Sequence, residues 1–241
     1  MGTLPPNRIP FLSARWEKLL LLTYDVEPEL LIPHLPPGLE LDCIDGRAFV
    51  SLVAFDFLNT KVLGIPGPGY QNFPEINLRF YVRHPETERR GVVFLREYVP
   101  KKLIAWIANA LYNESYVSAD MDSKWIEHPT TFELEHTLKL KDSINKIKVV
   151  LEKSELEPED DTLAHFFKEH SWGFGKSRRG QLLEYEVWHP IWKTLKVKSI
   201  DLDWNWASVY GTQWDFLSHH KPFHTAFAVG SEIKVFPKKL L

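Results

Sequence analysis

Phe73-Pro74-Glu75-Ile76-Asn77-Leu78-Arg79-Phe80-Tyr81-Val82-Arg83 is the stretch on which the fold turns. From Ile76 onward the pattern has period two. Ile76, Leu78, Phe80 and Val82 fall on one face of an extended chain, and Asn77, Arg79, Tyr81 and Arg83 on the other. A helix would scatter those four apolar side chains around its axis, so the segment is read as a strand with one face in a core. Residues 131–140 repeat the pattern, with Phe132, Leu134, His136, Leu138 and Leu140 set against Thr131, Glu133, Glu135, Thr137 and Lys139. Further apolar or alternating runs lie at 19–26, 47–57, 91–99, 144–151, 182–188, 195–204 and 226–236. Together they give about nine strands.

Helices are few. Residues 28–35 open with Pro28, suited to the first helical position, and stop before Pro36-Pro37-Gly38. Residues 100–112 carry Leu103, Ile107 and Leu111 at four-residue spacing, with Ile104, Ala108 and Trp106 beside them, which predicts an amphipathic helix. An acidic loop over 152–161 leads to a short helix over 162–170 with Asp161 as N-cap, and 173–180 is read as a loop. Many strands with few helices predict a β-rich α+β fold: an antiparallel β sandwich or barrel with a few peripheral helices.

The 241 residues are expected to form one domain, 1–241, because β sandwiches and barrels of this length are often undivided. An apolar share of 44% supports a sizeable core. Net charge is −3, from 29 basic and 32 acidic residues, which argues against nucleic acid as the main partner. The lone cysteine, Cys43, cannot form an internal disulfide and fits a reducing compartment. The first residues carry no apolar run of signal-peptide length, and no run is long enough to span a bilayer, so a cytoplasmic location away from membranes is expected.

One segment carries possible chemistry. In Arg96-Glu97-Tyr98-Val99-Pro100-Lys101-Lys102 a strand ends, a proline turns the chain, and two lysines open a helix. A lysine attacks a carbonyl only when unprotonated, and an ordinary one is protonated at neutral pH. The Lys102 ammonium, the positive end of the helix and burial would each lower the affinity of Lys101 for its proton; a close Glu97 carboxylate would oppose them.

Arg96-Glu97 followed by Pro100-Lys101-Lys102-Leu103 resembles the segment that carries the Schiff-base lysine of acetoacetate decarboxylases, with a shorter spacer. The resemblance extends to Tyr24-Asp25-Val26, Leu30-Leu31-Ile32-Pro33 and Leu39-Glu40-Leu41. Nearly the whole chain is similar to the YqjF-like family of unknown function in the same superfamily. The matching segments are Pro36-Pro37-Gly38-Leu39-Glu40-Leu41-Asp42, residues 46–53, residues 73–82, Val187-Trp188-His189-Pro190-Ile191-Trp192 and Pro222-Phe223-His224. The resemblance implies an acetoacetate-decarboxylase-like fold with a central cavity and no cofactor. It implies Lys101 as the imine-forming nucleophile and Lys102 as its perturbing neighbour. Glu75 becomes an acidic group in the cavity, and Arg15 a loose counterpart of the carboxylate-binding arginine. Arg79 is a second candidate for anion contact beside Glu75, and Glu97 a further substrate-binding group. The implied activity is that of a Schiff-base lyase, decarboxylase or hydratase on a small keto acid. The alternative is a non-catalytic protein that binds a small molecule in the same cavity. A homo-oligomer fits superfamily habit.

Other clusters point less far. His219, His220 and His224 lack a third or fourth ligand type at useful spacing, so no metal site is expected. Trp172, Trp188, Trp192, Trp204, Trp206 and Trp214 crowd the last third and read first as packed core, then as a pocket wall. Alternation would place Trp204 and Trp206 on one strand face. Gly64-Ile65-Pro66-Gly67-Pro68-Gly69 reads as a surface loop or cavity lip, not a phosphate loop.

Overall fold

A computed structural model describes residues 8–156, 163–168 and 170–241. In chain order the first strands are β1 (Leu12–Val26), β2 (Glu40–Leu41), β3 (Ala48–Val62), β4 (Ile65–Pro66), β5 (Phe73–Arg83) and β6 (Arg90–Val99). Helix α1 (Lys102–Tyr112) leads to β7 (Tyr116–Ser118), β8 (Asp120–Glu127), β9 (Thr131–Lys139) and β10 (Ile144–Leu156). After α2 (Leu163–Lys168) come β11 (Trp172–Lys176), β12 (Leu182–Trp188), β13 (Thr194–Asp203), α3 (Trp206–Tyr210), β14 (His224–Val235) and β15 (Lys239–Leu240).

The strands form one hydrogen-bonded sheet in the order β15-β12-β11-β6-β5-β3-β1-β14-β13-β10-β9-β8. Strand β14 also pairs with β12, Val187 opposite Val235 and Trp188 opposite Lys234, so the ladder returns on itself. Neighbours along β1, β3 and β5 are antiparallel, as a chain of long hairpins requires.

Strand β5 shows why so much of this sheet is buried on both faces. Ile76, Leu78, Phe80 and Val82 are fully buried in one apolar layer with Leu20, Leu52, Leu134, Leu138 and Trp206. That layer joins β1, β3 and β5 to the wing of β8 to β10. The alternating face is buried too: Glu75, Asn77 and Tyr81 are each 3% exposed or less. The period-two pattern therefore separates an apolar interior from a polar interior, not core from solvent. A second apolar layer, with Leu19, Phe49, Val53, Phe55 and Phe73, lies on that polar side.

Two bulges set which residues point there. Between β5 and β6 the register steps from Leu78 opposite Arg96 to Arg79 opposite Phe94, leaving Leu95 as the extra residue. The added residue reverses the alternation of β6, so that Phe94 and Glu97 share a face. In β1 a similar shift falls between Glu17 and Leu20, with Lys18 at φ 57°, and puts Trp16 and Leu19 on the same side.

Several expectations need correction. Residues 28–35 form two 3-10 turns, Pro28–Leu30 and Ile32–His34, because Pro33 interrupts any longer helix. The span 173–180 is partly strand β11, which pairs with both β6 and β12. Trp204 and Trp206 do not share a strand, since β13 ends at Asp203 and Asn205 caps α3 by accepting from Ser208 N–H. Strand β8 was hidden by its polar, solvent-facing residues, Asp120, Asp122 and Lys124. Asp161, expected as an N-cap, lies outside the described residues. Among the described residues no helix is long and apolar enough to cross a membrane.

Candidate functional site

A pocket of about 430 Å³ lies on the polar side of β5. Every strand of the closed ladder contributes to its wall: Trp16 from β1, Phe55 from β3, Glu75 from β5, Glu97 from β6, Trp172 from β11, Tyr185 from β12 and Val235 from β14. Helix α1 covers it with Leu103, Ile104, Ile107 and Ala108, whereas Leu111, the third residue at the four-residue spacing, is 41% exposed and does not line it. Trp106, also on that helix, is 67% exposed and takes no part. The proline-broken loop contributes Ile65 and Gly67, and so forms a lip.

Most of this lining is apolar or aromatic. One wall is not, and strand pairing builds it. Asn77 stands directly opposite Glu97 across β5 and β6, and Glu97 directly opposite Tyr116 across β6 and the parallel β7. Helix α1 makes the crossover between those parallel strands. It ends at Asn113, whose left-handed φ of 54° turns the chain back. Asn109 then pins β7, donating from Nδ2 to Tyr116 C=O at 2.9 Å and accepting from Tyr116 N–H at 2.8 Å.

The polar wall is a linked set of carboxyls and phenols. Tyr116 Oη donates to Glu75 Oε2 at 3.0 Å, and Asn77 Nδ2 donates to Glu75 Oε1 at 3.0 Å. Tyr185 Oη donates to Glu114 Oε1 at 3.2 Å. Tyr185 reaches across because its strand partner is Gly173, where a Cβ would lie 2.2 Å from the tyrosine ring. Glu97 is 2% exposed, and its Oε2 makes no hydrogen bond within the protein.

Burial raises the proton affinity of all three carboxyls. Desolvation pushes Glu75 up to about 7, against the lowering effect of the Asn77 and Tyr116 hydrogen bonds and the Arg79 charge. Desolvation also lifts Glu114 to about 8, with Glu75 adding repulsion. Glu97 is held well above the usual carboxylate range by burial and by repulsion from Glu114 and Glu75. Burial likewise drives the Tyr116 and Tyr185 phenols upward, so both keep their protons. Near neutral pH this wall holds mobile protons on carboxyl groups in an apolar surround.

The residues anticipated from sequence divide into two groups. Glu75, Glu97 and Arg79 all line the pocket. Arg79 donates to Phe167 C=O at 3.3 Å, with its guanidinium 5.9 Å from the Tyr81 ring. Lys101, Lys102 and Arg15 are not among the lining residues. Lys101 is the half-buried N-cap of α1, Lys102 is exposed, and Arg15 pairs with Glu17 at 2.6 Å. Asn77, Glu114, Tyr116 and Tyr185 escaped the sequence reading; only the position of Asn77 beside Glu75 on one strand face signalled it. Of the tryptophans, Trp172 and Trp192 face the pocket, while Trp204, Trp206 and Trp214 pack in the other layer. Among the described residues no three His, Cys, Asp or Glu side chains converge as metal ligands.

The overall fold is shared with enzymes of the acetoacetate decarboxylase type. The chain superposes on an acetoacetate decarboxylase-like enzyme from Sphingomonas wittichii RW1 with a TM-score of 0.65 and 13% identity, covering 95% of this chain and 92% of that one. The enduracididine biosynthesis enzyme MppR, complexed with pyruvate, gives 0.65 and 14% over 100% and 97% of the two chains. Acetoacetate decarboxylase from Legionella pneumophila gives 0.61 and 14% over 100% and 90%. Identities this low establish the fold alone.

The chain belongs to the DUF2071 family, described as an uncharacterized conserved protein, whose model matches residues 13–232. It is also 30% identical over 120 residues to the uncharacterized protein YqjF of Bacillus subtilis (strain 168). That match spans 49% of each chain, so it covers about half the length of the relative.

Proposed function

We propose that this protein binds a small organic molecule inside its closed ladder, which acts as a barrel around a central cavity, and handles protons on the ligand's polar head group. The observation that carries the reading is one acid-bearing wall in an otherwise apolar pocket. A volume of about 430 Å³ falls within the range of small-molecule sites, roughly 300–1,000 Å³. The aromatic and aliphatic lining gives the ligand body its burial energy. Glu75, Glu97, Glu114, Asn77, Tyr116 and Tyr185 supply the hydrogen-bonding orientation. MppR, a neighbour in fold, was solved with pyruvate, which makes small carbonyl acids reasonable first probes.

An enzymatic version of the reading uses the same wall. A carboxyl that titrates near 7 is poised to take a proton and return it, and Tyr116 links Glu75 to the rest of the cluster. Imine formation on Lys101 draws no support from the pocket, whose wall does not include that side chain.

The test is a fragment screen by thermal shift and native mass spectrometry on the wild type and an Ile107→Trp variant, in which the indole fills the pocket from α1. Wild type should be stabilised by compounds of a few carbon atoms with one polar end, and the variant should bind none of them while keeping its circular dichroism. Absence of any bound compound at millimolar concentration, or binding indifferent to the indole, would overturn the reading.

A further inference from the structure

We infer that the head group of the ligand is an organic cation that donates hydrogen bonds, a primary ammonium on an apolar body, seated against Asn77, Glu97 and Glu114. This rests on the pocket reading above and names its ligand class.

The argument is a balance of donors and acceptors. Asn77 is 1% exposed and lines the pocket, and its Oδ1 accepts no hydrogen bond. Glu97, its cross-strand partner, has an equally unpartnered Oε2. A buried acceptor left without a donor is destabilising, because it has lost its bonds to water. Tyr116 Oη and Asn77 Nδ2 are given to Glu75, and Tyr185 Oη to Glu114. The donors that remain within the wall are Arg79 Nε and the protons that the raised carboxyls themselves hold. Once Glu97 and Glu114 give up those protons, the wall calls for a donor from outside. An ammonium brings three N–H donors and no acceptor, so it complements two adjacent acceptors and a carboxylate at once.

Charge points the same way. The single guanidinium on this wall, Arg79, has Nε unpartnered and one amino group on Phe167 C=O. Against it stand three carboxyl groups, and one ammonium offsets the repulsion that opposes ionisation of the first of them. The rest of the lining includes Trp16, Phe55, Phe73 and Trp172, aromatic side chains that bury the alkyl body of such a cation. A bare metal ion is a poor fit, because the carboxyls do not converge as ligands.

Proton linkage gives the inference a signature. The groups facing the carboxyls are Arg79 on β5, Tyr116 on β7, Tyr185 on β12 and Tyr112 on α1; His170 and His189 also line the pocket. Burial keeps all three phenols protonated. His170 bonds Asp42 at 3.2 Å, burial holding its proton affinity down, and His189 stacks on Trp192. Between pH 6 and 8 the glutamates respond, and an entering ammonium displaces their protons.

Isothermal titration with hexylamine, hexanol and hexanoate, at pH 6 and pH 8, in phosphate and in sulfonate buffers of different ionisation heat (MES at the lower pH, HEPES at the higher), tests this. Hexylamine should bind best, releasing close to one proton and tightening by about tenfold from pH 6 to 8. Glu97→Gln and Glu114→Gln should each weaken the amine about tenfold or more and reduce the proton release, with unchanged circular dichroism showing the variants folded. Hexanol or hexanoate binding as tightly as the amine would overturn the cation assignment and leave the pocket reading standing. Amine binding without proton release, or indifferent to both substitutions, would also overturn it. If none of the three probes binds, both readings fall.

Discussion

Glu75 keeps a proton into the neutral range because the fold removes it from water, and stability is linked to that proton. Its folded value of about 7 lies above the ordinary 4.5, so the folded chain holds a proton that the unfolded chain has already released. Stability is full below about pH 4.5 and declines as pH rises toward 7, on the order of 1–3 kcal/mol for a shift of this size. Glu75→Gln should flatten that decline in urea titrations at pH 5 and 8, and an unchanged slope would disprove it. His136 has the opposite sign. It is fully buried, neither ring nitrogen is hydrogen-bonded, and desolvation lowers it to about 4 from 6.5. Its stability contribution is complete above pH 6.5 and falls away toward pH 4; His136→Leu should remove that acid-side loss in the same titrations. Lys101 lies outside the pocket wall, so Lys101→Ala should leave the affinity for pocket ligands within about twofold, a change under about 0.5 kcal/mol.

At the scale of elements, the unit that makes the site is β6-α1-β7. Its helix was legible from the four-residue apolar spacing, and β5 from its alternation. Glu75, Arg79 and Glu97 were legible too, as charged residues inside or beside strands. The rest was not, for identifiable reasons. Leu95 reads as an ordinary strand residue, yet it is the bulge that turns Glu97 inward. Tyr116 belongs to a strand of three residues, too short for any periodicity. Tyr185 joins the site only because Gly173 lies beneath its ring. Two outcomes follow. Asn109→Ala removes both bonds to the Tyr116 backbone and should destabilise the protein by about 1–3 kcal/mol, read as a lower thermal midpoint. Gly173→Ala places a methyl against Tyr185 and should break its bond to Glu114, which a changed Tyr185 signal in aromatic NMR spectra would register.

Across the whole molecule, closure depends on a thin seam. The ladder returns from β14 to β12 through only two register pairs, whereas β1 and β14 share eleven. Sequence could not reveal that seam, because pairing between distant strands leaves no local mark. Hydrogen exchange should be faster at the Phe236 amide, which donates to Glu186 C=O across the seam, than along the middle of β1, where both faces are buried.

The ladder has another ending at β8, which among the described residues pairs with β9 alone and leaves the N–H and C=O groups of its other side without a strand partner. Such a rim is a template on which a neighbouring molecule can add a strand. Asp122 and Lys124 project from it, each more than half exposed and 3.7 Å apart as an ion pair. Stacking copies there would desolvate these charges, so the pair guards against fibrillar growth. Replacing both by valine should leave the monomer folded but make it assemble with rising concentration, visible by light scattering and thioflavin fluorescence.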